Sequence, residues 1–370
     1  MLTTGFRLFF AALLIRLVAL ALASATGHFP VFWEYESIAR SILAGHGFVY
    51  THLNTTHWAY AEPLYPFLVT AVYGVTGFSV LALGTVQSVI SASLAPVTCA
   101  FGRRTFGPTA GLCAGSLIAV HPALTGYATI FHPLTIDALL LALVPLTLLM
   151  LVQEPSRRHA LFFGAAAGAC VLTRPTVITF LAAATAWIVW RRRSRETIVA
   201  VLAGIAVAAA IVAPWVVRNY AVLGSVVAIR SHVGFGLWQG NHPGAAGGEG
   251  DASDPTGRRS NFAEAPEDLR RRVLSADAMH QNAILHEAAA SYIKAEPMAF
   301  VERTSRKFYY FWWFAPYFGK VYPKWQVVAV KAFYVMVLAL AAVGGCAAWR
   351  HPVSAQADGV WLGVLLSLTI

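Results

Sequence analysis

RRHALFFGAAAGACVLTRPTVITFLAAATAWIVWRRR, residues 157–193, decides how this chain is built. Basic clusters, Arg157-Arg158-His159 and Arg191-Arg192-Arg193, close both ends of the apolar stretch Ala160–Trp190. Lys and Arg beside apolar spans stay on the cytoplasmic side, so both clusters belong there. The chain therefore crosses an even number of times between them, and the stretch reads as a tight hairpin with Thr173-Arg174-Pro175 at its outer tip. A guanidinium at the membrane edge is expensive without an anion. The tip lies where the head group of an anionic lipid would be, and Arg174 is expected to meet it.

The 370 residues are 58% hydrophobic and only 12% charged, which excludes a soluble domain and makes this a polytopic membrane protein. A net charge of +10 would suit nucleic acid, but the basic residues come in short clusters between apolar spans. That is a topology signal, and nucleic acid is set aside as a partner. Phe6–Ala25 reads as an uncleaved signal anchor, with Arg16 facing other helices. Cys99, Cys113, Cys170 and Cys346 all fall in apolar spans without disulfide or metal spacing, and read as small core residues.

Spans are expected at 6–25, 80–102, 109–128, 134–152, 160–173, 175–190, 198–217 and 326–349. Leu64–Gly77 is apolar too, but it is 14 residues long, contains Pro66 and follows a polar loop. It reads as a helix lying on the outer surface. With that choice Arg7, Arg103, Arg104, Arg157, Arg158, Arg191–Arg193 and Arg350 all fall inside. The expected organisation is a transmembrane catalytic module over 1–217 with its first outer loop at 26–79, a large outer loop with an interfacial helix over 218–325, and further transmembrane helices over 326–370. In the large loop, Gly244–Pro266 is predicted to be mobile, Glu267–Lys294 helical, and Phe308–Phe318 an interfacial aromatic belt. Gly359–Ile370 has 12 residues, too few for a helix to span about 30 Å, so the sequence is expected to stop inside a span.

The first outer loop carries Tyr35, Ile38, Ala39, Ile42 and Leu43 at the spacing of an amphipathic helix, ended by Gly45 and Gly47. Glu36 lies four residues before Arg40 and is explained by that ion pair. Glu34 falls on the opposite flank, with no cation in reach along the helix, and is the better functional candidate. Glu62 is fixed near Pro63 and Pro66. Asp137, in His132-Pro133-Leu134-Thr135-Ile136-Asp137, opens the fourth span and needs a wet cavity or a partner. His46, His52 and His57 are irregularly spaced in a loop, which is weak support for a metal site.

These residues resemble a known family. Glu34…Ile38-Ala39-Arg40…Gly45-His46-Gly47-Phe48, followed by Pro63-Leu64-Tyr65-Pro66, is similar to the GT-C membrane glycosyltransferases. The nearest branch is glycosyltransferase family 39 with its bacterial relatives, including protein mannosyltransferases and the lipid A aminoarabinose transferase. Leu172-Thr173-Arg174-Pro175 resembles the family's basic tip motif. Pro214-Trp215…Arg218-Asn219-Tyr220, then Gly240-Asn241, resembles the start of the large loop in a bacterial subgroup. Many relatives place an Asp four residues before a Tyr in the first loop. Here that position holds Val31, and Glu34, one helical turn on, is taken as the substitute.

The resemblance implies a GT-C type helical bundle with amphipathic periplasmic surface helices and a large outer loop. It also implies a multi-pass enzyme of the bacterial cytoplasmic membrane, with its site on the periplasmic side. The partners implied are a polyprenyl-phosphate-linked sugar, membrane lipids and an acceptor of unknown identity. An acceptor hydroxyl must lose a proton as it attacks the anomeric carbon, with Glu34 as base and Glu62 or Asp137 as helper. Arg174 and Arg218 are the cations for the leaving phosphate, and Tyr65, Asn219 and Asn241 are further candidates for binding the polyprenyl phosphate. The resemblance leaves the cofactor open: a divalent metal, magnesium or manganese, serves some GT-C relatives and not others, and the metal ligands stay unassigned. The competing class is a lipid or solute transporter or flippase. Such proteins often show internal repeats and midplane breaks, whereas this chain shows no repeat and gathers its acids at the outer face.

Overall fold

The computed structural model describes residues 2–26, 34–245, 262, 265–314 and 324–350. Among them the chain forms fifteen helices and one two-stranded hairpin, and it is an all-α polytopic membrane protein. Gly359–Ile370, most of Gly244–Pro266 and the end of Phe308–Phe318 lie outside the described residues.

The chain divides into two compact units. One comprises residues 1–47, 62–229 and 335–370, and the other 48–61 and 230–334. The first unit holds α1 (Leu2–Ala25), α2 (Glu34–Leu43), α3 (Leu64–Thr76), α4 (Val80–Phe106) and α5 (Pro108–Ala119). It continues through α6 (Pro122–Tyr127), α7 (Leu134–Gln153), α8 (Arg157–Val171), α9 (Val177–Arg192) and α10 (Arg195–Leu223). Each expected span falls on helix. Of the described helices, α1, α4, α7, α10 and α15 (Lys324–Arg350) are long and apolar enough to cross a membrane.

One span differs from expectation. The stretch 109–128 is two helices, because Pro122 offers no N–H to continue α5 and instead starts α6. His121 caps the new helix, its Nδ1 accepting from the Leu124 amide at 3.4 Å. The hairpin arms α8 and α9 are only 15 and 16 residues, joined through Leu172–Thr176. Leu64–Gly77 is helical as expected, and Gly77 closes α3 in the left-handed region at φ +66°.

Helices without a hydrophobic drive between them associate through close backbone contact. Gly164 of α8 faces the Gly204 carbonyl of α10 so closely that any side chain there would collide with it. The break between α5 and α6 leaves carbonyls without helical partners. Arg16, fully buried in α1, takes them: Nη1 donates to the Ala119 carbonyl at 3.0 Å and Nη2 to the Ile118 carbonyl at 3.3 Å, while Nη1 also reaches the Ala12 carbonyl of its own helix at 3.0 Å and Nε donates to Ser91 Oγ at 2.7 Å.

In the second unit, β1 (Tyr50–His52) pairs antiparallel with β2 (Thr55–His57). Leu53 and Asn54 both have positive φ, as a two-residue hairpin turn of this hand requires. α11 (Val233–Asn241), α12 (Glu267–Leu274), α13 (Ala278–Ala295) and α14 (Pro297–Trp312) complete it, around a core of Trp238, Phe262, Leu269, Val273, Leu285 and Ala289. The helical stretch expected over 267–294 breaks at Ser275–Asp277, where Asp277 Oδ1 accepts the Met279 and His280 amides and starts a second helix. The hairpin is tied in by Thr55 Oγ1 donating to the Ala276 carbonyl and by the Ser231 amide donating to the Ala59 carbonyl.

Removing the Arg16 head group while keeping its bulk leaves buried carbonyls and a buried hydroxyl short of donors. Arg16→Met is expected to destabilise the protein by about 1–3 kcal/mol, read as a lowered midpoint in thermal unfolding in detergent.

Candidate active site

The turn after α8 presents Arg174. Its amide donates to the Cys170 carbonyl at 2.7 Å, and the neighbouring Leu172 carbonyl accepts the Leu64 amide at 3.3 Å, which joins the turn to the start of α3. The guanidinium reaches Asp137 Oδ2 through Nη2 at 2.9 Å and Nε at 3.3 Å. Asp137 sits in the first turn of α7 with its side chain 3% exposed, while Arg174 keeps 33%. The anion that Arg174 meets in the structure is thus a carboxylate of its own chain. Thr173 also approaches Asp137, and Glu62 is near enough to act on it electrostatically.

His132 joins this group just before α7. Its Nδ1 accepts the Leu134 amide at 3.2 Å, which puts the ring proton on Nε2 in the neutral form. Burial and then the Arg174 charge hold its pKa down to about 4. Its ring meets Tyr127 and Tyr35, with centroids 5.9 and 6.3 Å apart. Tyr35 also packs edge-on against Tyr65 at 5.3 Å. Glu34, half-buried, opens α2 next to Tyr35. His132 stood in the quoted sequence without a role. A His-Pro pair ahead of an acid-bearing helix start was the signal for it.

The other acid of α2 is consumed as expected: Glu36 is buried, pairs with Arg40 at 2.7 Å and accepts from the Tyr73 hydroxyl at 3.3 Å. Tyr65 is buried in the packing of α3, its hydroxyl donating to Gln87 Oε1 at 2.5 Å. Gln87 in turn donates to the Ile130 carbonyl at 3.0 Å, leading back toward His132. Asn219 is fully buried and shapes the chain after α10, its Nδ2 donating to the Val227 and Ile229 carbonyls. Arg218 stacks over Trp215 at 4.9 Å and donates to Asn219 Oδ1 at 3.1 Å. Asn241 belongs to the second unit, where it ends α11 and accepts from Lys307 Nζ at 3.4 Å.

Residues 61–217 match the family described as dolichyl-phosphate-mannose-protein mannosyltransferase. That match supports a membrane glycosyltransferase of GT-C type. No curated protein and no solved structure matches the chain.

For a divalent metal, the donor set of the glycosyltransferase does not fit: among the described residues no three His, Cys, Asp or Glu side chains come together to hold one. Asp137 Oδ2 already carries a cation, the Arg174 guanidinium. His46 belongs to the first unit; His52 and His57 gather with His232 in the second, ring centroids 5.6–6.2 Å apart. Tyr60, Phe235 and Gln281 surround them.

Burial, and then the charge of His57, hold His52 down to about 4; burial also lowers His57, and lowers His232 with help from His52, His57 and Arg230. Unfolded histidines titrate near about 6.5. Between that pH and about 4 the unfolded chain binds protons that the folded cluster refuses, so stability falls as the solution is acidified. Above about 6.5 the cluster has no such effect. Thermal unfolding between pH 7 and 4.5 is expected to show this loss, and His52→Gln with His57→Gln to flatten it.

The Asp137–Arg174 pair should also register thermodynamically. A double-mutant cycle with Asp137→Asn and Arg174→Gln is expected to give a coupling of about 1–3 kcal/mol in unfolding measurements.

Proposed function

We propose that this glycosyltransferase moves a sugar from a polyprenyl-phosphate donor to an acceptor hydroxyl of a lipid, glycan or protein. The reaction takes place at the outer face of a bacterial cytoplasmic membrane and inverts the anomeric carbon. The observation that carries the reading is Arg174, oriented by Asp137 at the hairpin tip yet still a third exposed. The family match supports a lipid-linked donor.

In the reaction the acceptor oxygen bonds to the anomeric carbon as the bond from that carbon to the phosphate oxygen breaks. The bonding electrons go to the phosphate, and the hydroxyl proton goes to a carboxylate. Charge grows on the phosphate, so the departing group needs cations more than a general acid. Arg174 fills that role, since Asp137 takes only two of its three nitrogens. Arg218 is the second cation. Asp137 acts as the positioning residue for Arg174, a narrower role than proton acceptor. The base is Glu34, with Glu62 nearby to strengthen the negative field that receives the proton. Tyr65 and Asn219 hold the walls, and Asn241 with Lys307 belongs to the outer loop that meets the acceptor or carrier.

Transfer by the purified protein in nanodiscs, with defined polyprenyl-phosphate sugars, tests this. Glu34→Gln is expected to lower kcat by about 100-fold or more with unchanged expression. Arg174→Ala is expected to lower it by about 100- to 1000-fold. Normal transfer by both variants would reject the site.

A further inference from the structure

The inward side of α14 carries charge where a packed helix carries apolar groups. Phe300, Arg303, Lys307 and Tyr310 recur at three- and four-residue steps and form the less exposed side, while Val301, Ser305, Phe308 and Trp312 opposite are exposed. Arg303 is only 7% exposed and Lys307 is half-buried. Residues at this spacing have β-carbons about 5–6 Å apart, so two like charges there repel. Removal from water raises the cost of each.

No carboxylate offsets them. Among the described residues the Arg303 guanidinium has no ion pair and no hydrogen bond, and its Nε is buried without an acceptor. Glu302, the one acid of α14, pairs with Arg306 instead. Lys307 Nζ meets a neutral oxygen, Asn241 Oδ1, at 3.4 Å. Burial, and then the charge of Arg303, lower the Lys307 pKa, as two cations within reach of each other require. The end of α11 shapes the recess. Asn241 is buried, and its Nδ2 is held by the Leu237 carbonyl at 2.8 Å, which turns Oδ1 to the lysine. A Cβ at position 240 would stand 2.9 Å from Lys307 Nζ, so Gly240 leaves room for the ammonium. Lys307 keeps more exposure than Arg303, and an ion reaches the pair from the lysine's side.

We propose that Arg303 and Lys307, backed by Gly240 and Asn241, form an anion site within the second unit, and that its ligand is a phosphate monoester or free phosphate. Such a group carries close to two negative charges near neutral pH, which balances two cations, whereas a carboxylate would leave one uncompensated. A guanidinium can bind two phosphate oxygens side by side while an ammonium acts as a point charge. Arg174 lies in the other unit, so this site stands whether or not the donor phosphate meets Arg174.

The full chain in phosphatidylcholine nanodiscs is titrated with inorganic phosphate, chloride replacing it at constant ionic strength, and the midpoint of thermal unfolding is read. For a soluble ligand the midpoint is expected to rise saturably, by about 3–5 °C at a hundredfold excess over half-saturation. For a lipid ligand a comparable rise is expected only when phosphatidic acid replaces part of the phosphatidylcholine. In whichever arm responds, Arg303→Gln and Lys307→Gln are expected to lose most of the rise, Arg303→Lys to keep part of it, and Arg174→Gln to keep it all. No rise in either arm would overturn the proposal, as would a rise that both the Arg303→Gln and Lys307→Gln variants retain. A rise lost on Arg174→Gln but kept on Lys307→Gln would place the anion at the hairpin tip, sinking this site while leaving the proposed reaction intact. Should Arg303→Gln not fold, Lys307→Gln, which removes a partly exposed charge, decides alone.

Discussion

Two opposite charges, the Arg174 guanidinium and the Asp137 carboxylate, govern how one end of this bundle is assembled. The arms of the hairpin are 15 and 16 residues, about 23 Å each at helical rise and shorter than about 30 Å of hydrocarbon. The turn between them therefore stays near the low-dielectric margin of the membrane, where an isolated charge of either sign is costly. Paired, they hold the start of α7 against the tip. The amide of Leu64 on the Leu172 carbonyl brings α3 to the same place. Glu62, immediately before α3, is delivered with it.

The chain contains a second arginine within its apolar helices, and the contrast separates structure from function. Arg16 is fully buried, and its donors go to the Ala119 and Ile118 carbonyls at a helix break, to the Ala12 carbonyl of its own helix and to Ser91 Oγ. Such an arginine has little left to offer a ligand, and its work is to close the gap between α1, α4 and α5. Arg174 shares a single carboxylate oxygen and stays partly exposed. A guanidinium that is fixed but not saturated suits an anion that arrives and leaves.

Much of this architecture was legible because a bilayer enforces simple rules. Apolar length located helix under every expected span, although only five of the described helices are long and apolar enough to cross a membrane, and the Thr173-Arg174-Pro175 tip fell where the turn is. The amphipathic spacing in the first loop gave α2, and four-residue spacing gave the Glu36–Arg40 pair. The break at Pro122 was local and readable, yet the apolar run hid it, because hydropathy does not register a missing N–H. Asp137 as the partner of Arg174 lies 37 residues away, and no periodicity connects two helix ends. The same holds for His52, His57 and His232. A hairpin from the first loop is grouped with helices from the second, a pairing that only long-range packing specifies.

The arrangement also narrows which acid can accept a proton on the proposed reading. Four carboxylates were weighed near this end, and two are committed to cations: Glu36 to Arg40, with a further hydrogen bond from Tyr73, and Asp137 to Arg174. A carboxylate oxygen that accepts a guanidinium N–H has less room to meet a substrate hydroxyl. On the proposed reading the proton goes to Glu34, with Glu62 as helper. Glu34 is in the first turn of α2, and Tyr35 fixes the rotation of that turn by packing against Tyr65 and His132. Ile38 and Ala39 are buried on one side of the helix, which leaves Glu34 on the flank away from Glu36. An acid placed one turn later than Val31 can therefore serve the same side of the site, because the aromatic contacts set where α2 points.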